Sequence, residues 1–222
     1  MLLCDVGNTS YHFIEVSLQY SNTKNKDDYF KLKEKGYKKD VALFDASSVQ
    51  ERVFYICVNP HAKSILSKLD NWIDLSSYVD MSSYYESMGV DRIFACEAIS
   101  TGVILDAGSA ITVDIVKSRI FEGGFIYPGI RAMEQTYKNI SSALDYSFNF
   151  ELDLDRMPKN SRDAISYGYL KTLYKEVMVQ DMKIYLTGGD AKKFATIFHQ
   201  AKVDENLVFK GMIKIIKKAD LC

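Results

Sequence analysis

Apolar and polar positions along this chain switch repeatedly between a period of two and a period near 3.6. Runs rich in β-branched and aromatic residues at 2–6, 11–18, 53–58, 104–107, 111–116, 120–126, 183–187 and 206–209 predict strands. Between them, residues 60–69, 91–99, 129–144, 161–178, 191–200 and 212–219 predict helices. Pro60 suits the first turn of its helix. Asn160 or Ser161 can cap the helix that follows, in which Ile165, Tyr169, Leu173 and Val177 recur at helical spacing. Strands alternating with helices predict an α/β protein.

The pattern also repeats internally. Leu2-Leu3-Cys4-Asp5-Val6-Gly7-Asn8-Thr9 opens the chain, and Ile104-Leu105-Asp106-Ala107-Gly108-Ser109-Ala110 recurs near the middle. In each, an apolar strand ends in Asp-x-Gly, a small polar residue follows, and a second apolar run begins. Each half is therefore expected to start with a hairpin whose turn carries an aspartate and a glycine. A boundary near residues 100–102 divides the chain into halves 1–100 and 101–222. Residues 19–40 are polar and lysine-rich, but Asp27, Asp28, Glu34 and Asp40 are interleaved, so a solvated loop or edge hairpin is expected rather than a basic patch.

Composition narrows the function classes. With 222 residues, 47% hydrophobic and 26% charged, the chain reads as an ordinary globular protein. A formal net charge of -1 implies no broad attraction to nucleic acid or anionic lipid. No apolar run reaches membrane length, and the apolar opening lacks the basic flank of a signal peptide. Cys4, Cys57, Cys96 and Cys222 form no C-x-x-C pair, and His12, His61 and His199 show no metal-ligand spacing. Buried reduced thiols in a cytoplasmic protein are the expectation.

No G-x-x-x-x-G-K-[ST] segment exists, and no G-x-G-x-x-G follows a strand, so P-loop and Rossmann nucleotide sites are not predicted. The paired Asp-x-Gly turns offer another phosphate site. Glycine lets backbone N–H groups approach phosphate oxygens, Asn8, Thr9 or Ser109 adds donors, and an aspartate can hold Mg²⁺. Thr187-Gly188-Gly189-Asp190 lies between a strand and a helix, where absent side chains leave room for a nucleoside or simply for a tight connection. Gly89-Val90-Asp91-Arg92 opens a predicted helix. Asp91 there is either a cap or the group that takes a substrate hydroxyl's proton, and Arg92 offers a bidentate fork for a carboxylate. The helix N-terminus is expected to favour ionised Asp91.

Together these segments resemble type III pantothenate kinases. Residues 5–9 are similar to that family's opening phosphate motif, 89–92 to its G-x-D-R motif, and 106–114 to its D-A-G-T-A-x-T-x-D segment. Residues 123–129 are similar to its G-G-x-I-x-P-G segment, and 161–168 to its [ST]-x-D-A-[IV]-x-x-G helix start; 187–191 complete the set. The resemblance implies two actin-like (ribonuclease H-like) halves, each a mixed sheet flanked by helices, around a central nucleotide cleft. It implies ATP-dependent phosphorylation of pantothenate, the first step of coenzyme A synthesis, by a cytoplasmic homodimer needing Mg²⁺ and a monovalent cation, K⁺ or NH₄⁺. Carried over by motif, Asp5, Val6, Gly7, Asn8, Thr9, Ser10, Tyr11 and His12 contact ATP phosphates. Ser109, Gly188 and Gly189 contact the nucleotide, and Asp106 binds the monovalent cation. Asp91 accepts the proton, while Tyr85, Gly89, Val90, Asp91, Arg92 and Ser161 bind pantothenate. The family often has a basic residue where His12 stands and threonine where Ser109 and Ser161 stand. Tyr84 and Tyr85 both occupy the region of its pocket tyrosine, and Tyr85 is the choice. The rival readings are another small-molecule kinase of the same superfamily and a non-catalytic accessory factor in gene regulation.

Overall fold

The computed structural model describes residues 1–19, 29–33 and 36–221. The chain divides into two compact units, Met1–Ala98 with Val208–Cys222, and Ile99–Leu207. The second expected half thus ends early in the structure, because the final helix packs in the first unit.

The first unit opens with β1 (Leu2–Val6) and β2 (Ser10–Gln19), an antiparallel hairpin in which Asp5 pairs with His12 and Val6 with Tyr11. β3 (Tyr29–Leu32) and β4 (Tyr37–Asp40) both pair with β2, so the described part of the lysine-rich stretch is edge strand; the rest lies outside the described residues. β5 (Val53–Cys57) is buried at every position and runs parallel beside β1, as expected of an apolar run that must be covered on both faces. α1 (Pro60–Leu66) follows, started by the Asn59 side chain on the Ala62 N–H at 3.0 Å with Pro60 in its first turn. β6 (Trp72–Asp74), which the sequence reading missed, pairs parallel with β5. α2 (Val90–Ala98) closes this stretch.

The second unit repeats the plan. β7 (Gly102–Ala107) and β8 (Ala110–Lys117) form a hairpin, and β9 (Ile120–Pro128) pairs antiparallel with β8. α3 (Ile130–Ile140) and α4 (Ser161–Met178) follow; Asn160, not Ser161, caps α4. β10 (Ile184–Thr187) runs parallel to β7, α5 is only Ala191–Phe194, and β11 (Lys202–Val203) pairs parallel with β10. α6 (Leu207–Lys218) ends the chain. It replaces the strand expected at 206–209, because Leu207, Met212, Ile215 and Ile216 are buried at helical spacing.

The two sheets have one topology. The first runs β3-β2-β1-β5-β6 with β4 beside β2, and the second, read from its other edge, runs β9-β8-β7-β10-β11. In both, a hairpin supplies the first two strands and a parallel strand joins the far side of the first. Alternation along each strand sends one side-chain row into the core. Cys4, Val6, Tyr11, Phe13, Tyr55 and Trp72 meet in the first unit, and Leu105, Ile111, Val113, Leu170, Leu173 and Phe194 meet in the second. Each such aliphatic or Phe side chain contributes about 1.5–3 kcal/mol by leaving water.

Candidate active site

The first turn lies between β1 and β2. The Gly7 N–H donates to the Ser10 carbonyl at 3.0 Å, while Asn8 and Thr9 stand exposed at the tip. The Val58 N–H, just past β5, donates to the Val6 carbonyl at 3.0 Å and ties the parallel strand to the turn. Asp5 is not in the turn but two residues before it, half-buried on β1 opposite His12. The side chains of Val6 and Tyr11 point into the core, Tyr11 against Phe13, Phe44 and Trp72, so they reach a ligand only through backbone. The His12 ring meets Phe209 edge-on at 5.0 Å.

At the start of α2, Asp91 is half-buried and Arg92 is 7% exposed. Asp91 Oδ1 accepts the Arg92 backbone N–H at 2.8 Å. Burial pushes the Asp91 carboxyl above the usual aspartate value, and the Arg92 N–H and guanidinium charge offset this only in part. Desolvation thus works against the ionised form that the helix N-terminus is expected to favour. Arg92 Nη1 donates to the Tyr85 hydroxyl, and its guanidinium lies 5.6 Å from the Tyr85 ring centroid. Tyr84 turns elsewhere, donating to Glu97 Oε1 at 3.0 Å. Gly89 lies beside this group; a Cβ there would come within 3.7 Å of Asp91 Cγ.

The second unit carries its own turn. The Gly108 N–H donates to the Ala110 carbonyl at 3.0 Å, and the Asp190 N–H, past β10, donates to the Ala107 carbonyl at 2.9 Å. Asp106 is again two residues before the glycine, between Thr112 on β8 and Thr187 on β10. Gly188 has φ +86, and a Cβ there would overlap Asp106 Oδ1 and lie 2.7 Å from the Ala107 carbonyl group. A Cβ at Gly129 would lie 2.7 Å from Ser109 C. Three backbone segments therefore meet around one turn with no room for side chains between them. Thr112 Oγ1 is buried beside Asp106 with no hydrogen-bond partner among the described residues. Ser109 and Gly189 are exposed, as is Ser161 in the first turn of α4.

Asp163 accepts from the side chains of Asn149 and Asn160 at 2.9 and 2.7 Å, which holds its carboxyl below the usual range. This fixes the loop before α4 to the helix. A cavity of about 450 Å³ lies at the opposite end of β10 from Gly188, lined by Tyr174, Met178, Met182, Phe198 and His199 among others. None of the site residues proposed from sequence lines it. Among the described residues no three His, Cys, Asp or Glu side chains gather to hold a metal ion, and no helix is long and apolar enough to cross a membrane. Sequence reasoning missed Glu97 and Lys214, which connect to Tyr84 only in three dimensions.

Two mixed sheets of one topology, each flanked by helices, make an α/β fold of two repeated units. A putative 2-dehydro-3-deoxygalactonokinase from Sinorhizobium meliloti shares this fold at TM-score 0.53 and 10% identity, over 98% of this chain and 96% of that one. A crystal structure described as a conserved putative Baf family transcriptional activator from Campylobacter jejuni matches at TM-score 0.83 and 37% identity over 100% of both chains. The model of the type III pantothenate kinase family matches residues 1–180. A type III pantothenate kinase from Sulfurimonas denitrificans is 61% identical over 222 residues, all of both chains. One from Campylobacter jejuni is 39% identical over 220 residues, 98% of this chain and 97% of that one. The chain belongs to the type III pantothenate kinase family.

Proposed function

We propose that this protein transfers a phosphoryl group from ATP to the primary hydroxyl of pantothenate, giving 4'-phosphopantothenate in the first step of coenzyme A biosynthesis. The observation that carries this reading is the first turn of α2. A half-buried carboxylate, Asp91, stands next to a buried guanidinium, Arg92, that Tyr85 holds in place. Such a pair suits an acceptor with a hydroxyl at one end and a carboxylate at the other.

Phosphoryl transfer leaves the protein mainly positioning and charge stabilisation to do. Asp91 orients the acceptor hydroxyl and takes its proton late. Arg92, with Tyr85, grips the acceptor carboxylate, and Gly89 and Val90 adjoin it. The Asp5–His12 segment binds donor phosphates, through backbone at Val6 and Tyr11 and through exposed side chains at Asn8 and Thr9. Gly188 and Gly189 present bare backbone to the nucleoside and Ser109 adds a hydroxyl. A divalent cation, when bound, shields the charge of the transferring phosphates. Asp106 suits a monovalent cation, and the partnerless Thr112 hydroxyl beside it is a further oxygen of the required kind. We take the protein to act as a cytoplasmic homodimer; the buried thiols of Cys4, Cys57 and Cys96, which form no disulfide among the described residues, fit a reducing compartment.

The test is a coupled ADP assay with pantothenate, run with K⁺ and with Na⁺. ADP release that requires pantothenate and is faster in K⁺ is the expected result. Release with another small acid or sugar, and none with pantothenate, would transfer the reading to a related kinase. The description of the Campylobacter jejuni structure favours one second reading, a regulator. Sequence-specific DNA retention by protein that turns over no ATP would establish it.

A further inference from the structure

We infer that Lys214 is a positioning residue for the acceptor substrate, acting from the last helix through Glu97 and the Tyr84–Tyr85 pair on Arg92. The inference rests on the assignment of Arg92 to the acceptor. α2 ends at Ala98, so the Glu97 carbonyl is among the last four, which have no partner within the helix. Lys214 Nζ donates to that carbonyl at 2.5 Å and lies 3.9 Å from Glu97 Oε2. A cation at a helix C-terminus also interacts favourably with the helix dipole.

The reach is set by a close helix contact one turn earlier. A Cβ at Gly211 would overlap the Phe94 carbonyl oxygen and sit 2.7 Å from its carbon. Gly211 against Phe94 and Lys214 against Glu97 are three residues apart on both helices, so α6 lies along α2 with both chains advancing together. Met212, Ile215 and Ile216, all but fully buried, hold α6 there.

Glu97 passes the constraint on. Its Oε1 accepts the Tyr84 hydroxyl, while the next residue, Tyr85, receives Arg92 Nη1. The segment before α2 is thus stapled to the helix at two points. Its own backbone is braced by short turns: the Tyr84 N–H donates to the Met81 carbonyl at 3.1 Å and the Met88 N–H to the Tyr85 carbonyl at 3.0 Å. The acceptor-binding guanidinium therefore depends on a residue 122 positions further along the chain. Tyr85 itself is 42% exposed, so the packing of its ring alone does not fix it.

The experiment compares wild type with Lys214→Met, Lys214→Arg, Tyr84→Phe and the Lys214→Met/Tyr84→Phe double variant. Lys214→Met is expected to raise KM for pantothenate about 5- to 10-fold, leaving kcat within about twofold and KM for ATP unchanged. Tyr84→Phe moves the same constant, the double variant loses less than the product of the two, and Lys214→Arg restores most of the loss. Hydrogen exchange gives a readout without substrate: amides of residues 84–88 exchange about tenfold faster in Lys214→Met, while those of β7 and β8 do not change. Unchanged KM for pantothenate, equal loss in all constants, or unchanged exchange at 84–88 each overturns the inference. Should wild type leave pantothenate unphosphorylated, the proposed function falls. The exchange result then decides alone: faster exchange at 84–88 keeps the Lys214–Glu97–Tyr84 clamp, and its absence removes it.

Discussion

The two units share a strand order yet hold their chemical groups by different means. In the first, side chains do the holding: Arg92 rests on Tyr85, Asp91 takes the Arg92 N–H, and Asn59 starts α1. In the second, backbone does it, with Gly129 and Gly188 pressed against the turn at Gly108. The turns themselves are close copies, each with a glycine N–H bonded across it at 3.0 Å. The first is one residue longer, since Val6 pairs with Tyr11 while Ala107 pairs with Ile111. A Cβ on Gly7 would meet only Ser10 O, at 3.6 Å, which is ordinary contact. One repeated plan thus yields a site tuned by ionisation and another tuned by steric exclusion. Substitutions should separate the two.

The largest effect is expected in the second unit. Gly188→Ala forces a side chain into a left-handed backbone and into Ala107, and should cost roughly 3–4 kcal/mol in urea unfolding. Gly7→Ala should cost less than about 1 kcal/mol. Equal losses at the two glycines would erase the contrast.

Next comes Asp91→Asn, where activity and stability should part. Turnover is expected to fall on the order of 10²-fold or more in the ADP assay. Stability should move the other way. Burial raises the Asp91 pKa in the fold, so the folded state binds the proton more tightly than the unfolded state. Stability from that proton is full below the ordinary aspartate value and is lost as pH rises through the raised one. Asp91→Asn should therefore melt higher than wild type at neutral pH, with the gap closing in acid. A lower melting temperature at neutral pH would contradict the burial argument. The acid limb of turnover should likewise sit above the ordinary aspartate range.

Arg92→Ala should raise KM for pantothenate by about tenfold or more, which is about 1.4 kcal/mol or more of lost binding. A pantothenate dependence identical to wild type would take the guanidinium out of the acceptor site. The smallest effect belongs to Thr112→Val. Removing a buried hydroxyl that has no partner should stabilise the ligand-free protein by about 1 kcal/mol, read as a rise in melting temperature. Destabilisation by the same amount would mean that the hydroxyl is satisfied.

Much of this plan was readable in one dimension because it is local. The β1–β2 and β7–β8 hairpins announce themselves through apolar runs broken at Asp-x-Gly, and α4 begins and ends where its cap and periodicity predict. The errors fall where tertiary packing overrides local preference. Leu207-Val208-Phe209 reads as strand by β-propensity, yet Gly211 and the buried Met212 commit it to a helix lying against Phe94. The three residues of β6 are too few to carry a period and exist only because β5 offers an open edge. At the candidate site, Asp91 and Arg92 stood out as charges at a helix start. The raised Asp91 pKa did not, because burial is a property of the fold. Which way the adjacent Tyr84 and Tyr85 point, one toward Glu97 and the other toward Arg92, likewise carries no sequence signal.

The placement of α6 with the first unit has a consequence for synthesis. As the chain leaves the ribosome, residues 1–98 emerge lacking the helix that lies against α2, and about 100 residues of the second unit must follow first. At ~5–20 residues per second, that is a wait of roughly 5–20 s. During it, the second unit can complete itself while the first still exposes the α2 surface around Phe94. The nascent first lobe is therefore the stage at which a chaperone would find most to hold.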